Sequence, residues 1–133
     1  MLDASVAVAW CFEDESNHDA DQVLDLMVKA TALVPVTWTV EVSNALLAGE
    51  RRRRSRPADT AQALDLLGSL NIRVDDESAP EPGQLVSLAR AERLSVYDAL
   101  YLWLAIRKGL PLATLDGGLQ RASRSAGVKL MIG

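Results

Sequence analysis

Histidine and cysteine are nearly missing from this chain, with one of each, His18 and Cys11, in 133 residues. A lone cysteine excludes an internal disulfide and a cysteine-rich zinc site, and it suits a reducing, cytoplasmic setting. A lone histidine excludes His-rich metal sites, and it leaves hydroxyl–histidine–carboxylate chemistry only if His18 itself serves. No apolar run approaches the ~18–20 residues that a membrane span needs. No basic segment followed by an apolar stretch opens the sequence, so no signal peptide is expected. Basic residues are outnumbered 14 to 18, for a net charge of −4. That balance argues against a sequence-reading nucleic-acid module, but not against an enzyme that meets nucleic acid through bound cations. Whatever chemistry occurs here falls to carboxylates.

What is present is a globular pattern. The hydrophobic fraction of 49% is enough for a sizeable core, and the length suits one domain, residues 1–133. Met1–Ala9 reads as a first strand running into a turn or helix. Ala20, Val23, Leu24 and Met27 fall on one helical face. Leu33–Val36 reads as a short strand broken by Pro35, and Thr37–Thr39 offer caps for a helix through Glu50. Pro57 suits the first turn of the next helix. Ile72 and Val74 mark a strand, Leu85, Val86, Leu88 and Ala89 a helix. Ser95 opens another helix, apolar nearly all round, that turns at Gly109. Leu110–Leu115 is a near-continuous apolar run, as in a strand covered on both faces. A helix from Asp116 to about Ala126, closed by Gly127, and a strand over Val128–Ile132 complete the chain. Strands alternating with helices predict an α/β, single-domain, three-layer sandwich with a parallel five-stranded sheet.

In such sheets ligands bind beyond the carboxyl ends of the strands. Four acids fall there: Asp3 after the first strand, Glu41 and Asp98 in first helical turns, and Asp116 after the fourth strand. Each has a plain structural alternative. Ser95 and Asp98 have the spacing of a capping box. Glu41 complements a helix dipole, an effect of ~0.3–1 kcal/mol. Asp116 before Gly117 suits an N-cap, and Asp3 suits a turn at Ser5. Converging together, however, four acids would repel one another and raise their pKa values. A hard divalent cation, which takes oxygen ligands and keeps several waters, removes that cost. Such a site serves hydrolysis at phosphorus.

At these residues the chain resembles PIN-domain proteins, specifically VapC-type ribonuclease toxins of bacterial toxin–antitoxin systems. The resemblance is carried by LDASVAVAWCFEDE at 2–15, VEVSNALLAGERR at 40–52, SVYDALYLWLA at 95–105 and LATLD at 112–116. It implies a metal-dependent endoribonuclease whose catalytic and metal-binding acids are Asp3, Glu41, Asp98 and Asp116, with Ser5, Asn44 and Thr114 supporting them or the substrate. It implies one or two Mg²⁺ or Mn²⁺ ions, an RNA substrate (tRNA or rRNA), a homodimer, and a cognate antitoxin whose C-terminal segment occupies the site. Two departures stand out. Some relatives carry a further acid where Leu119 stands here, which weakens a second-metal site. Relatives also place several residues before the Leu–Asp pair, so that Met1 reads as an internal start.

Two other classes stay open on residues alone: a catalytically inactive partner-binding domain, and an aspartyl phosphotransferase built on Asp3. The second lacks an Asp two residues after Asp3 and a conspicuous lysine near the late strands. Arg51–Arg54 and Arg56 read either as a solvated helix end or as RNA-phosphate ligands. Trp10, Phe12 and Trp38 could stack bases, with buried or dimer-interface packing expected for at least two of them. Glu13–Glu15 are expected as a solvated acidic loop, His18 at a helix start and Cys11 in the core.

Overall fold

The computed structural model describes residues 1–15 and 17–132. Helix α1 (Ala4–Cys11) begins directly after Asp3, and a short 3₁₀ turn follows at Glu13–Glu15. Helix α2 (His18–Leu26) is capped by the Asn17 side chain, which accepts from the Asp19 and Ala20 amides. Strand β1 (Ala32–Pro35) leads into α3 (Thr37–Arg51) and α4 (Pro57–Ser69), the latter opening on Pro57. Strand β2 (Ile72–Asp75) leads into α5 (Pro82–Glu92) and α6 (Val96–Lys108). Helix α6 stops at Gly109 in the left-handed region, where glycine is free of the Cβ penalty. Helix α7 (Gly117–Ser125) ends the helical part, with Gly127 at positive φ just beyond it.

Among the described residues two strands form a ladder, not the five expected. β1 and β2 pair in parallel over Ala32–Pro35 and Ile72–Asp75. The other three extended segments lie alongside but meet only at isolated parallel bridges, Leu2 with Ala113 and Leu112 with Leu130. Few hydrogen bonds continue the series: Leu2 N–H to Leu33 C=O at 3.0 Å; Asp3 N–H to Ala113 C=O and Ala113 N–H to Met1 C=O, both at 2.9 Å; and Met131 N–H to Leu112 C=O and Leu112 N–H to Lys129 C=O, both at 2.9 Å. The order is therefore β2, β1, 1–3, 112–113, 130–131. The reason for the short pairing is local. Asp3 hands over to a helix at once, Pro111 has no N–H to give, and the 114–116 segment turns its polar groups into side-chain bonds before α7.

The core is built around α1, α6 and the bridged segments. Val6, Ala7, Ala99, Tyr101, Leu102, Leu112 and Leu119 are sealed from solvent. Burying a leucine of this kind stabilises by roughly 1.5–3 kcal/mol. Helix α6 is less enclosed than its composition suggests. Val96, Tyr97 and Ile106 face solvent while Ala99, Tyr101, Leu102, Leu104 and Ala105 pack inward. Trp38 and Phe12 are buried, and Trp10 is half-buried with its indole N–H on the Ala20 carbonyl at 2.7 Å, so packing accounts for all three. No helix among the described residues is long and apolar enough to cross a membrane.

Candidate active site

The short first segment delivers Asp3 to the carboxyl edge, where its side chain is only 3% exposed. Two hydroxyls converge on one oxygen. Ser5 Oγ, from the first turn of α1, donates to Asp3 Oδ2 at 2.6 Å, and Thr114 Oγ1 donates to the same atom at 2.7 Å. The hydroxyls are themselves held: Leu115 N–H donates to Ser5 Oγ at 3.0 Å and Asp116 N–H to Thr114 Oγ1 at 3.0 Å. Gln120 of α7 donates to the Thr114 carbonyl at 3.0 Å. Asp3 is thus fixed by a chain of polar contacts that crosses from residue 3 to residue 116. Burial pushes its carboxyl pKa up, the two hydroxyls pull it down, and the Asp116 charge pushes it up again, with a net rise.

Glu41 comes from the second turn of α3. Its Oε1 accepts from the hydroxyl of Tyr101 at 3.1 Å, and Tyr101 itself is fully buried in α6. Burial raises the Glu41 pKa, the Tyr101 bond opposes it, and the Asp3 and Asp98 charges reinforce the rise. Burial drives the phenol of Tyr101 upward as well, so it stays a donor across the physiological range. Asp98 occupies the first turn of α6, half-buried. Its pKa is raised by burial, then by the charges of Asp3 and Asp116, against a smaller lowering by Ser95. Asp116 is exposed at the mouth of α7, where its Oδ2 accepts from Leu119 N–H at 2.8 Å.

The four acids are therefore neighbours electrostatically, linked through Asp3 and Asp98. None of them forms an ion pair with a basic side chain among the described residues. The plain structural alternatives hold in part. Ser95 caps α6 by accepting from Asp98 N–H at 3.1 Å, a bond that does not involve the Asp98 carboxylate. Asp116 does cap α7 with one oxygen. Ser5 and Thr114 sit directly on Asp3, whereas Asn44 is exposed on α3, one turn beyond Glu41. Among the described residues no group of three or more acidic, histidine or cysteine side chains is gathered tightly enough to ligate one ion directly. Tyr101 is the site residue that sequence reasoning passed over. Its spacing of three from Asp98, on one helical face, was the available clue.

The basic run resolves into two kinds. Arg54 pairs with Asp14 at 2.9 Å and Glu15 at 3.2 Å, and lies over the Phe12 ring at 4.5 Å from its centroid. Arg56 pairs with Asp59 at 3.2 Å. Arg51, Arg52 and Arg53 are exposed. His18 is exposed at the start of α2.

Comparison with known proteins agrees with this geometry. The model of the PIN domain family matches residues 1–125. Among solved structures, the crystal structure of PAE2754 from Pyrobaculum aerophilum is similar in fold. It is 22% identical with a TM-score of 0.66, over 91% of this chain and 82% of that one. No curated protein matches the chain. The match over nearly its whole length shows that the chain belongs to the PIN domain family, whose members are generally metal-dependent nucleases.

Proposed function

We propose that this chain is a metal-dependent endoribonuclease that acts in the cytoplasm as the toxin of a VapC-type toxin–antitoxin pair. Residues 1–133 would form one nuclease domain, with Asp3, Glu41, Asp98 and Asp116 as its catalytic acids. The observation that carries the reading is a buried Asp3 with three like-charged neighbours and, among the described residues, no basic side chain paired with any of them. Such a group is costly to maintain unless a cation is shared among its members.

The donor set fits a hard divalent cation, Mg²⁺ or Mn²⁺: every candidate ligand is a carboxylate oxygen, and no histidine or cysteine competes. Asp3, Glu41, Asp98 and Asp116 would hold such an ion, directly or through water. When bound, such an ion supplies positive charge that stabilises the phosphorane-like transition state and acidifies water. The chain's own residues do the rest. Ser5 and Thr114 hold Asp3 in one rotamer, Tyr101 holds Glu41, and the half-buried Asp98, with its raised pKa, is suited to take a proton from the attacking water. Water adds to phosphorus as the bond to the 3′ oxygen breaks. The 3′ oxygen takes its proton from solvent, leaving a 5′-phosphate and a 3′-hydroxyl. Asn44 is assigned to substrate contact from the exposed face of α3. A homodimer and an antitoxin follow from the family resemblance alone.

The test is cleavage of a mixed tRNA and rRNA pool by purified protein in Mg²⁺, Mn²⁺ or EDTA, beside Asp98→Asn. Discrete products that require metal and vanish in the variant support the reading. Full activity in Asp98→Asn contradicts the site assignment. No cleavage together with no metal affinity turns the reading to a catalytically inactive, partner-binding PIN domain.

A further inference from the structure

We propose that Arg51, Arg52 and Arg53, at the end of α3, form a backbone-binding track for single-stranded RNA leading away from Glu41. The proposal rests on the nuclease reading above and assigns the surface that holds its substrate. Three observations carry it.

The first is the division of the basic run. Arg54 and Arg56 are consumed by Asp14, Glu15 and Asp59. Arg51, Arg52 and Arg53 make no side-chain hydrogen bond, ion pair or ring contact among the described residues. The adjacent Glu50, which could have neutralised one of them, instead accepts from the Thr60 hydroxyl at 2.7 Å. In a chain of net charge −4, three adjacent arginines without acidic partners are a local surplus of charge.

The second is placement. At about 100° per residue, Glu41, Ala48 and Arg52 fall within about 20° of one line along α3, with Asn44 and Arg51 beside it. At ~1.5 Å per residue Arg51, the last residue of α3, stands about 15 Å along the axis from Glu41, a span of a few nucleotides, with Arg52 at the cap and Arg53 just beyond it. The face between them carries the exposed Asn44 and half-buried Ala45 and Ala48, which put no acid in the path.

The third is backbone strain. Helix α3 ends in a Schellman motif: Arg54 N–H donates to the Gly49 carbonyl at 2.9 Å and Arg53 N–H to the Glu50 carbonyl at 3.0 Å. The residue between cap and closure is Arg53, at φ +58°, where glycine is the unstrained choice. Arg93, at the end of α5, has the same conformation at φ +57°, so the strain bears on Arg53 only together with its unpaired neighbours Arg51 and Arg52. Guanidinium groups grip phosphates with paired donors, and their affinity comes from released counterions rather than from base sequence.

The test uses the full chain carrying Asp98→Asn, in EDTA, so that RNA is bound and not cut. Anisotropy of a labelled single-stranded RNA is followed between about 50 and 200 mM salt. Replacing Arg51, Arg52 and Arg53 together by Gln should weaken binding about tenfold or more at low salt. It should also flatten the log–log salt slope by about 2, at ~0.7 per lost phosphate contact. Arg53→Gly should raise the melting temperature while weakening RNA binding, a combination that a purely structural role does not produce. Arg56→Gln should leave affinity and slope unchanged. Equal losses in Arg56→Gln and the triple variant, unchanged binding in the triple variant, or tighter capture of polyglutamate than of RNA would each overturn the track. In the otherwise wild-type chain, the triple variant should raise KM and leave kcat unchanged. Metal-dependent cleavage with unchanged RNA affinity would sink the track and spare the nuclease reading. Loss of metal-dependent cleavage in the wild-type chain would sink both.

Discussion

Two acidic groups in this molecule behave in opposite ways. Asp14 and Glu15 lie on the surface, in a 3₁₀ turn, and share the guanidinium of Arg54, which holds the Asp14 carboxyl below the usual range. Asp3, Glu41 and Asp98 are partly or wholly withdrawn from water and pair with no basic side chain among the described residues, and each carboxyl lies above the usual range, chiefly through burial and then through its neighbours. The first group is complete as it stands. In the second, hydroxyls hold Asp3 and Glu41, and a positive charge placed among the three would favour their ionised forms. The contrast is the ground on which the second set is proposed, and the first is not, as a functional acid cluster.

The largest effect that tests this contrast is on turnover. Asp98→Asn should lower kcat on RNA roughly a thousandfold, since several kcal/mol of cation-based stabilisation is lost at ~1.4 kcal/mol per decade. Asp14→Asn should leave kcat unchanged. Measured turnover of the two variants side by side would blur the contrast if they fell together.

Next come changes in stability. Thr114→Val keeps the shape but removes a donor from buried Asp3 and an acceptor from Asp116 N–H, and should cost roughly 1–3 kcal/mol in urea unfolding. Gly49→Ala tests the other region. A Cβ there would meet the Phe12 ring at 2.6 Å, beneath Arg54, and should also cost roughly 1–3 kcal/mol. It should do so without touching metal dependence, whereas Thr114→Val should weaken metal binding.

The smallest effect is on pH dependence. A carboxyl whose folded pKa is raised binds more protons when folded than when unfolded over the interval between the two values. Stability of the metal-free protein should therefore fall as pH rises from about 4 toward neutrality. Asp98→Asn should flatten that fall and raise the metal-free melting temperature at pH 7 by a few degrees. Saturating Mg²⁺ should raise it in the wild type and not in the variant. Differential scanning calorimetry across pH, with and without metal, reads all three.

Much of this was legible in the sequence because it depends on local rules. Ser95, Pro57, Gly109 and Gly127 mark helix ends by capping chemistry and backbone freedom, and the structure places them at or beside those ends. Asp3 and Asp116 lie at junctions between extended segments and helices, as alternation predicts, and Asp98 opens α6 after a helix; Glu41 lies in the second turn of α3 and not the first, because α3 begins at Thr37. What was not legible depends on contacts between distant segments. Tyr101 reads as core, and its bond to Glu41 exists only because α6 packs across α3. Arg54 reads like Arg53, and only the approach of the 13–15 turn separates them. The five-stranded sheet was over-read for the same reason: Leu110–Leu115 has the composition of a strand, but Pro111 and the side-chain bonds of Thr114 leave room for little more than a bridge.

The measurement closest to the central claim is titration of the metal-free protein with Mn²⁺, followed by electron paramagnetic resonance, in wild type and Asp98→Asn. A pre-arranged acid site predicts one or two bound Mn²⁺ per chain, with affinity at least about tenfold weaker in the variant, a loss near 1.4 kcal/mol. Absence of bound Mn²⁺ in the wild type, or equal binding by the two proteins, would contradict it.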